Sequence, residues 1–274
     1  MRGMKKILCP VDFSATSQEG VEYAAHLAQA LACSITLFYV RTTIWPEARQ
    51  LDYLAELSDE NIRHLLTDWG SELKQQYSIT CESYFESSTD TFEELVAAQA
   101  MHHDLVVMGT HGADSFFSYV FGSNSFHVIE KSKCPVLIVP QGCHYQPLNL
   151  IVYAYDPDTN PLFFVEQLKQ LTSILGCNVR VLHVEENPKA EVRRRMEILK
   201  EAIKARESKY MMLSFDFQYS EEVSFALNAY MKVHQAEMLA LSVDHRTLMN
   251  KLFTEDVVKQ ISLTANYPVF VFWN

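Results

Sequence analysis

A chain of 274 residues, 48% hydrophobic and 21% charged, is long enough for two ordinary domains and apolar enough to bury real cores. Its net charge of −11 opposes general nucleic-acid binding and adsorption to anionic membranes, since both need a basic surface. No apolar run reaches membrane-spanning length, and the basic start Met1-Arg2-Gly3-Met4-Lys5-Lys6 leads only into a short strand-like run rather than a signal-peptide pattern, so the expectation is a cytoplasmic protein.

Residues 5–11 predict a first strand. Ser14 to Ala32 predicts a helix, capped by Ser14 or Ser17, with Val21, Ala24, Ala25, Leu27, Ala28 and Leu31 on its apolar side. Ile35 to Val40 predicts strand two. Leu51, Leu54, Leu57, Ile62, Leu65, Leu66, Trp69 and Leu73 recur at threes and fours and predict a long helix from Glu47 to about Gln76. Strand three is expected over Ile79 to Phe85, a turn over Ser87-Ser88-Thr89-Asp90, and a helix over Thr91 to Met101, with His102-His103 as its solvated end. Leu105-Val106-Val107-Met108 and Val136-Leu137-Ile138-Val139 are continuous apolar runs, as strands buried on both faces of a parallel sheet require. Strands alternating with helices predict right-handed crossovers. The six cysteines form no C-x-x-C pair, and four lie in or beside apolar runs; they are expected as reduced thiols rather than as zinc ligands.

Between the two apolar runs lies a stretch with its own chemistry. Gly109 ends the first run, Gly112 follows, and Gly122-Ser123-Asn124-Ser125 opens a helical pattern that continues to Lys131. Glycine permits positive φ and close approach of a ligand, and a helix N-terminus offers unpaired N–H groups and partial positive charge. Ser123 or Asn124 is placed to cap that helix, and Ser123 and Ser125 offer hydroxyls. This is the order that phosphate binding uses, although glycines that only make turns would give the same letters.

Gly109-x2-Gly112-x9-Gly122-Ser123 resembles the nucleotide-binding signature of the universal stress protein family. Cys134-Pro135-Val136-Leu137-Ile138-Val139 resembles that family's last strand, and Ile7-Leu8-Cys9-Pro10-Val11-Asp12-Phe13-Ser14 its first strand with the following aspartate. The resemblance covers residues 3–142 well and the remainder weakly. It implies a Rossmann-like, adenine nucleotide alpha hydrolase-like α/β domain: a five-stranded parallel sheet flanked by helices, with its ligand at the strand ends where the order reverses. The crevice there places Pro10, Val11 and Asp12 opposite Met108 and Gly109, and the resemblance further implies that Val11 and the backbone near Asp12 and Val40 hold adenine, and that Asp12 takes a ribose hydroxyl or orders a metal such as Mg. Gly109, Gly112, Gly122, Ser123, Asn124 and Ser125 would hold ribose and phosphates of ATP, ADP or AMP. Read alone, Asp12 equally suits a helix cap. Family members often carry a basic residue in the loop, whereas residues 113–121 here contain no Lys or Arg, and His111 is the nearest candidate.

After Pro140 the chain reads as a linker to residue 149, and then the pattern restarts. Asp12 and Asp156, Cys33 and Cys177, and Val40 and Val184 are each 144 apart, while Pro135 and Pro268 are 133 apart. The chain therefore reads as two copies of one domain, residues 1–142 and 149–274, the second 11 residues shorter (144 − 133), with the loss between its second and fourth strands. In the second copy Gly109 becomes Ser242, Gly112 His245, Gly122 Glu255 and Ser123 Asp256, so nucleotide is expected in the first copy alone. The apolar last strands, 136–139 and 269–272, are expected to pair as an intramolecular pseudo-dimer, leaving any homodimer to other surfaces. No catalytic set stands out, and at most slow ATP hydrolysis or self-phosphorylation is expected. Three readings remain: a nucleotide-regulated stress protein, a nucleotide-independent scaffold, and an ATP-hydrolysing or adenylate-forming enzyme.

Overall fold

A computed structural model describes residues 4–42, 54, 56–110, 127–157, 163–185, 187, 189–205, 212–243 and 265–273. The chain divides into two compact units, Met1–Tyr145 and Gln146–Asn274. The N-terminal unit runs β1 (Lys6–Val11), α1 (Ala15–Leu31), β2 (Ser34–Thr42), α2 (Asp59–Tyr77), β3 (Thr80–Ser88), α3 (Phe92–Ala100), β4 (Leu105–Thr110) and β5 (Val136–Pro140). Its strands are parallel, in the order β3-β2-β1-β4-β5. The C-terminal unit runs β6 (Leu150–Ala154), α4 (Phe163–Leu175), β7 (Asn178–Glu185), α5 (Ala190–Ala205), β8 (Leu213–Tyr219), α6 (Val223–His234), β9 (Met238–Val243) and β10 (Val269–Trp273), with parallel order β8-β7-β6-β9-β10. The topology is the same in both. Among the described residues no helix is long and apolar enough to cross a membrane.

Local chemistry sets the element ends. Ser14 caps α1, its Oγ accepting from Ser17 N at 3.2 Å, and α1 ends where Ala32 turns left-handed (φ 54°). The long helix expected from Glu47 is corrected at its start. Leu54 is helical, but Glu56 and Leu57 form a turn and a bend that interrupt the helix, and α2 begins only after Ser58, whose Oγ accepts from Asn61 N at 3.2 Å. Arg41, at the end of β2, reinforces the break. Its guanidinium donates to the carbonyls of Leu54 (3.3 Å) and Leu57 (2.9 Å) and pairs with Asp59, engaging acceptors that an unbroken helix would use itself. Residues 43–53 lie outside the described part. The turn expected at 87–90 also starts late, because β3 stays paired with β2 through Thr42↔Ser88. Thr91 N donates to Glu94 Oε2 at 3.3 Å at the start of α3.

The apolar runs are the core. Ile7, Leu8, Leu105, Val106, Leu137 and Ile138 in one unit, and Ile151, Val152, Leu239 and Ala240 in the other, are fully buried, as central parallel strands demand.

A matching pair of clamps marks the two units as copies. Asp104 Oδ2 accepts from the backbone N–H groups of Lys5 (2.8 Å) and Lys6 (3.0 Å), fastening the entry of β4 to that of β1. Glu237 Oε2, 133 residues on, accepts from Asn149 (3.1 Å) and Leu150 (2.8 Å), each 144 residues on. The register also refines the length difference. Ile35↔Cys81 in β2–β3 are 46 residues apart, and Val179↔Leu213 in β7–β8 are 34 apart, twelve fewer. Ile7↔Leu105 are 98 apart and Ile151↔Met238 are 87 apart, eleven fewer. The second copy has thus lost twelve residues between its second and third strands and regained one before its fourth.

Candidate functional site

In the order β3-β2-β1-β4-β5 the chain reverses direction across the sheet between β1 and β4, so the crevice that such sheets offer ligands lies at the C-terminal ends of these two strands. Pro10 and Val11 are buried there in β1, with Val11 in register with Tyr39 and Val40 half-buried one residue further along β2. Met108 is buried at the end of β4, followed by Gly109. The structure therefore gathers Pro10, Val11, Asp12, Val40, Met108 and Gly109 at one sheet end. His111, Gly112, Gly122, Ser123, Asn124 and Ser125 lie outside the described residues, and the chain resumes as helix over 127–131.

Asp12 does not cap α1; Ser14 does. Asp12 is exposed, and its Oδ1 accepts from Ser14 N (3.0 Å) and Ser14 Oγ (2.5 Å), neither bond using Oδ2. Between them Phe13 sits at φ 61°, a left-handed conformation that a bulky residue adopts only when its surroundings impose it. The Phe13 ring is held between Tyr39 (5.5 Å) and Trp69 (5.6 Å between centroids). The carboxylate is thus held at the strand end by a turn that tertiary packing enforces.

Gly109 faces α1. A Cβ at Gly109 would meet the Thr16 carbonyl oxygen at 1.8 Å, and a Cβ at Gly20 would meet Gly109 N at 2.5 Å. The bare backbones of helix and strand interlock. The glycine at 109 is required first for this packing, whatever else it does. Gly20 escaped the sequence reading; a glycine inside a helical pattern, which costs roughly 1 kcal/mol, was the available signal. Next to it, the Thr110 hydroxyl is buried and has no hydrogen-bond partner among the described residues.

The same place in the C-terminal unit holds buried polar side chains. Asp156, the counterpart of Asp12, is only 2% exposed, and His183 (2%) and Glu185 (4%) replace Tyr39 and Arg41. His183 donates from Nδ1 to the Tyr155 carbonyl (2.9 Å), its Nε2 lies 3.8 Å from Glu185 Oε2, and Glu185 accepts from Lys189 N at 3.3 Å. Ser242, at the position of Gly109, shares a buried 2.8 Å hydrogen bond with the Tyr153 hydroxyl. Among the described residues, no group of three or more His, Cys, Asp or Glu is arranged to hold a metal ion. All six cysteines are free, and burial raises their pKa, to about 11 for Cys33, Cys81, Cys143 and Cys177.

Fold and site together define a tandem α/β protein of doubly wound parallel units, with an exposed carboxylate at the switch point of the first and buried polar side chains at that of the second. The profile of the universal stress protein family matches residues 3–140. The universal stress protein MJ0531 of Methanocaldococcus jannaschii is 32% identical over 142 residues, 49% of this chain and 81% of that protein. A universal stress protein from Archaeoglobus fulgidus, 18% identical, superposes with a TM-score of 0.75 over 98% of each chain. A crystal structure described as a universal stress protein from Pseudomonas aeruginosa, 12% identical, gives 0.60 over 98% of this chain and 93% of its own. The chain belongs to the universal stress protein family.

Proposed function

We propose that the N-terminal unit binds one adenine nucleotide, ATP or its ADP or AMP relatives, as a regulatory ligand in a stress response. The observation that carries this reading is the exposed, braced carboxylate of Asp12 at the β1/β4 switch point, together with the sequence motif of Gly112, Gly122 and Ser123 that follows β4. Val11, the backbone around Asp12, and Val40 would hold adenine. Asp12 Oδ2 would take a ribose hydroxyl or a water of bound Mg. The phosphates would meet the backbone N–H groups and hydroxyls of the segment from Gly122 to Ser125. With no Lys or Arg in residues 113–121, affinity would rest on those N–H groups, on His111 and on any metal brought with the nucleotide. Ligand would then favour one arrangement of loop and helix that a partner senses.

Calorimetric titration of the full chain with ATP, ADP and AMP, with and without Mg, tests the proposal. Gly122→Val should abolish binding with the circular dichroism spectrum unchanged. Ser123→Ala should weaken it, since a hydrogen bond to a charged group is worth roughly 1.5–3 kcal/mol. Normal ATP binding by folded Gly122→Val would show the phosphate site to be elsewhere. The scaffold reading predicts no binding of any of the three nucleotides, and the enzyme reading predicts multiple turnovers of phosphate release.

A further inference from the structure

The outward face of α6 carries a stripe that its counterpart lacks. The inward face buries Ser224, Leu227, Tyr230 and Met231, and the helix is tied to β8 by Tyr230 donating to Asp216 Oδ2 at 2.7 Å. On the other side Phe225 is 68% and Val233 75% exposed, with exposed Ala229 between them. Residues at i, i+4 and i+8 share one helix face, here spanning about 12 Å. Aligned by their N-caps, Thr91 and Glu222, the first two of these positions in α3 are Glu94 and Ala98, and the third falls beyond the end of that helix at Ala100. Where α6 exposes Phe225, α3 exposes Glu94. Single exposed apolar residues need no explanation, whereas an aligned set rimmed by charge marks an interaction surface.

The charges around the stripe select the occupant. Glu221 and Glu222 stand exposed at the N-terminal end of the helix and Lys232 at its C-terminal end. A stripe with opposite charge at its two ends is complementary to its own reverse. We infer that α6 is a self-association surface, on which a second copy of this chain lays its own α6 antiparallel about a twofold axis near Ala229. Phe225 then packs beside Val233 of the partner copy across the small Ala229, and Glu222 approaches Lys232 of the partner copy. Such an isologous contact closes on itself and yields a dimer rather than a filament. Two facing three-turn helices fall below the about 1,200 Å² at which specific interfaces become stable, so the dimer is concentration-dependent.

Sedimentation equilibrium of the full chain across a concentration series tests this. The average mass should climb from 31.5 kDa toward that of the dimer. Phe225→Glu should hold it at the monomer with an unchanged circular dichroism spectrum. Glu222→Lys and Lys232→Glu should each weaken association, and the double swap should restore it. Those two residues are ten apart on one helix, about 15 Å, too far to pair within a chain, so restoration reports a contact between copies. Ala229→Cys should cross-link to itself on mild oxidation, with the native cysteines as control. A chain that stays monomeric throughout overturns the proposal and leaves the stripe to a different protein. A dimer indifferent to Phe225→Glu, with no Ala229→Cys cross-link, overturns it as well by placing the association elsewhere.

Discussion

His103 joins two elements through one ring. Its Nδ1 donates to the Gln99 carbonyl at 2.8 Å, so in the neutral ring Nε2 carries the lone pair and accepts from the Thr36 hydroxyl at 2.9 Å. Burial is the largest influence on it and lowers its pKa, as do nearby Lys6 and His102, while the Gln99 bond and Asp104 act in the opposite direction. With its folded pKa below the unfolded one, the folded chain binds fewer protons here. The stabilisation from His103 is therefore complete above the ordinary histidine pKa of about 6.5, begins to fall below it and is lost as pH falls through the lower folded pKa. Urea unfolding followed from about pH 7.5 to about pH 5.5 should show stability declining, with a shallower decline in His103→Gln; equal slopes would remove His103 from the account. The sequence reading placed both His102 and His103 in solvent. It was right for exposed His102 and wrong for His103, whose partner Thr36 lies 67 residues away and leaves no local trace. The Asp104 clamp was hidden for the same reason: its acceptor role spans 99 residues.

Elements whose cause is local were legible, and those whose cause is tertiary were not. The four-residue apolar runs gave β4 and β5 almost to the residue, because a strand buried on both faces has no polar position to mislead. Threefold and fourfold spacing gave α1, α2 and α3, yet the start of α2 depended on Arg41 reaching across from β2. The glycine motif was readable as letters. That Gly109 is needed by α1 became visible only once Gly20 stood against it. Gly109→Ala and Gly20→Ala should each destabilise the N-terminal unit, by about 1–3 kcal/mol or more, since the obstructing atoms are backbone and cannot swing aside. Thermal unfolding would check this; an unchanged midpoint for either variant would mean the close approach relaxes freely. Loss of nucleotide binding in these variants would speak of packing rather than ligand contact, which is why Gly122 is the better probe.

At the scale of the whole molecule, the repeat was correctly read, and its register supplies an asymmetry. The β1/β4 end offers an exposed carboxylate, while the β6/β9 end holds buried Asp156, His183, Glu185 and Ser242. Titration with ATP should accordingly saturate at one nucleotide per chain; a stoichiometry of two would mean that the second site opens despite its packing. The interlocked glycines carry the asymmetry further. The register positions of Gly20 and Gly109 in the second copy are Phe164 and Ser242, neither of which presents bare backbone. The two halves must therefore differ in how freely they accept mutation. In a saturation survey scored only for abundance of folded protein, with no nucleotide in the assay, positions 20 and 109 should reject nearly every replacement. Positions 164 and 242 should admit several. The motif glycine at 109 would then look indispensable to any measure of fitness, even in a cell that never asked the protein to bind anything.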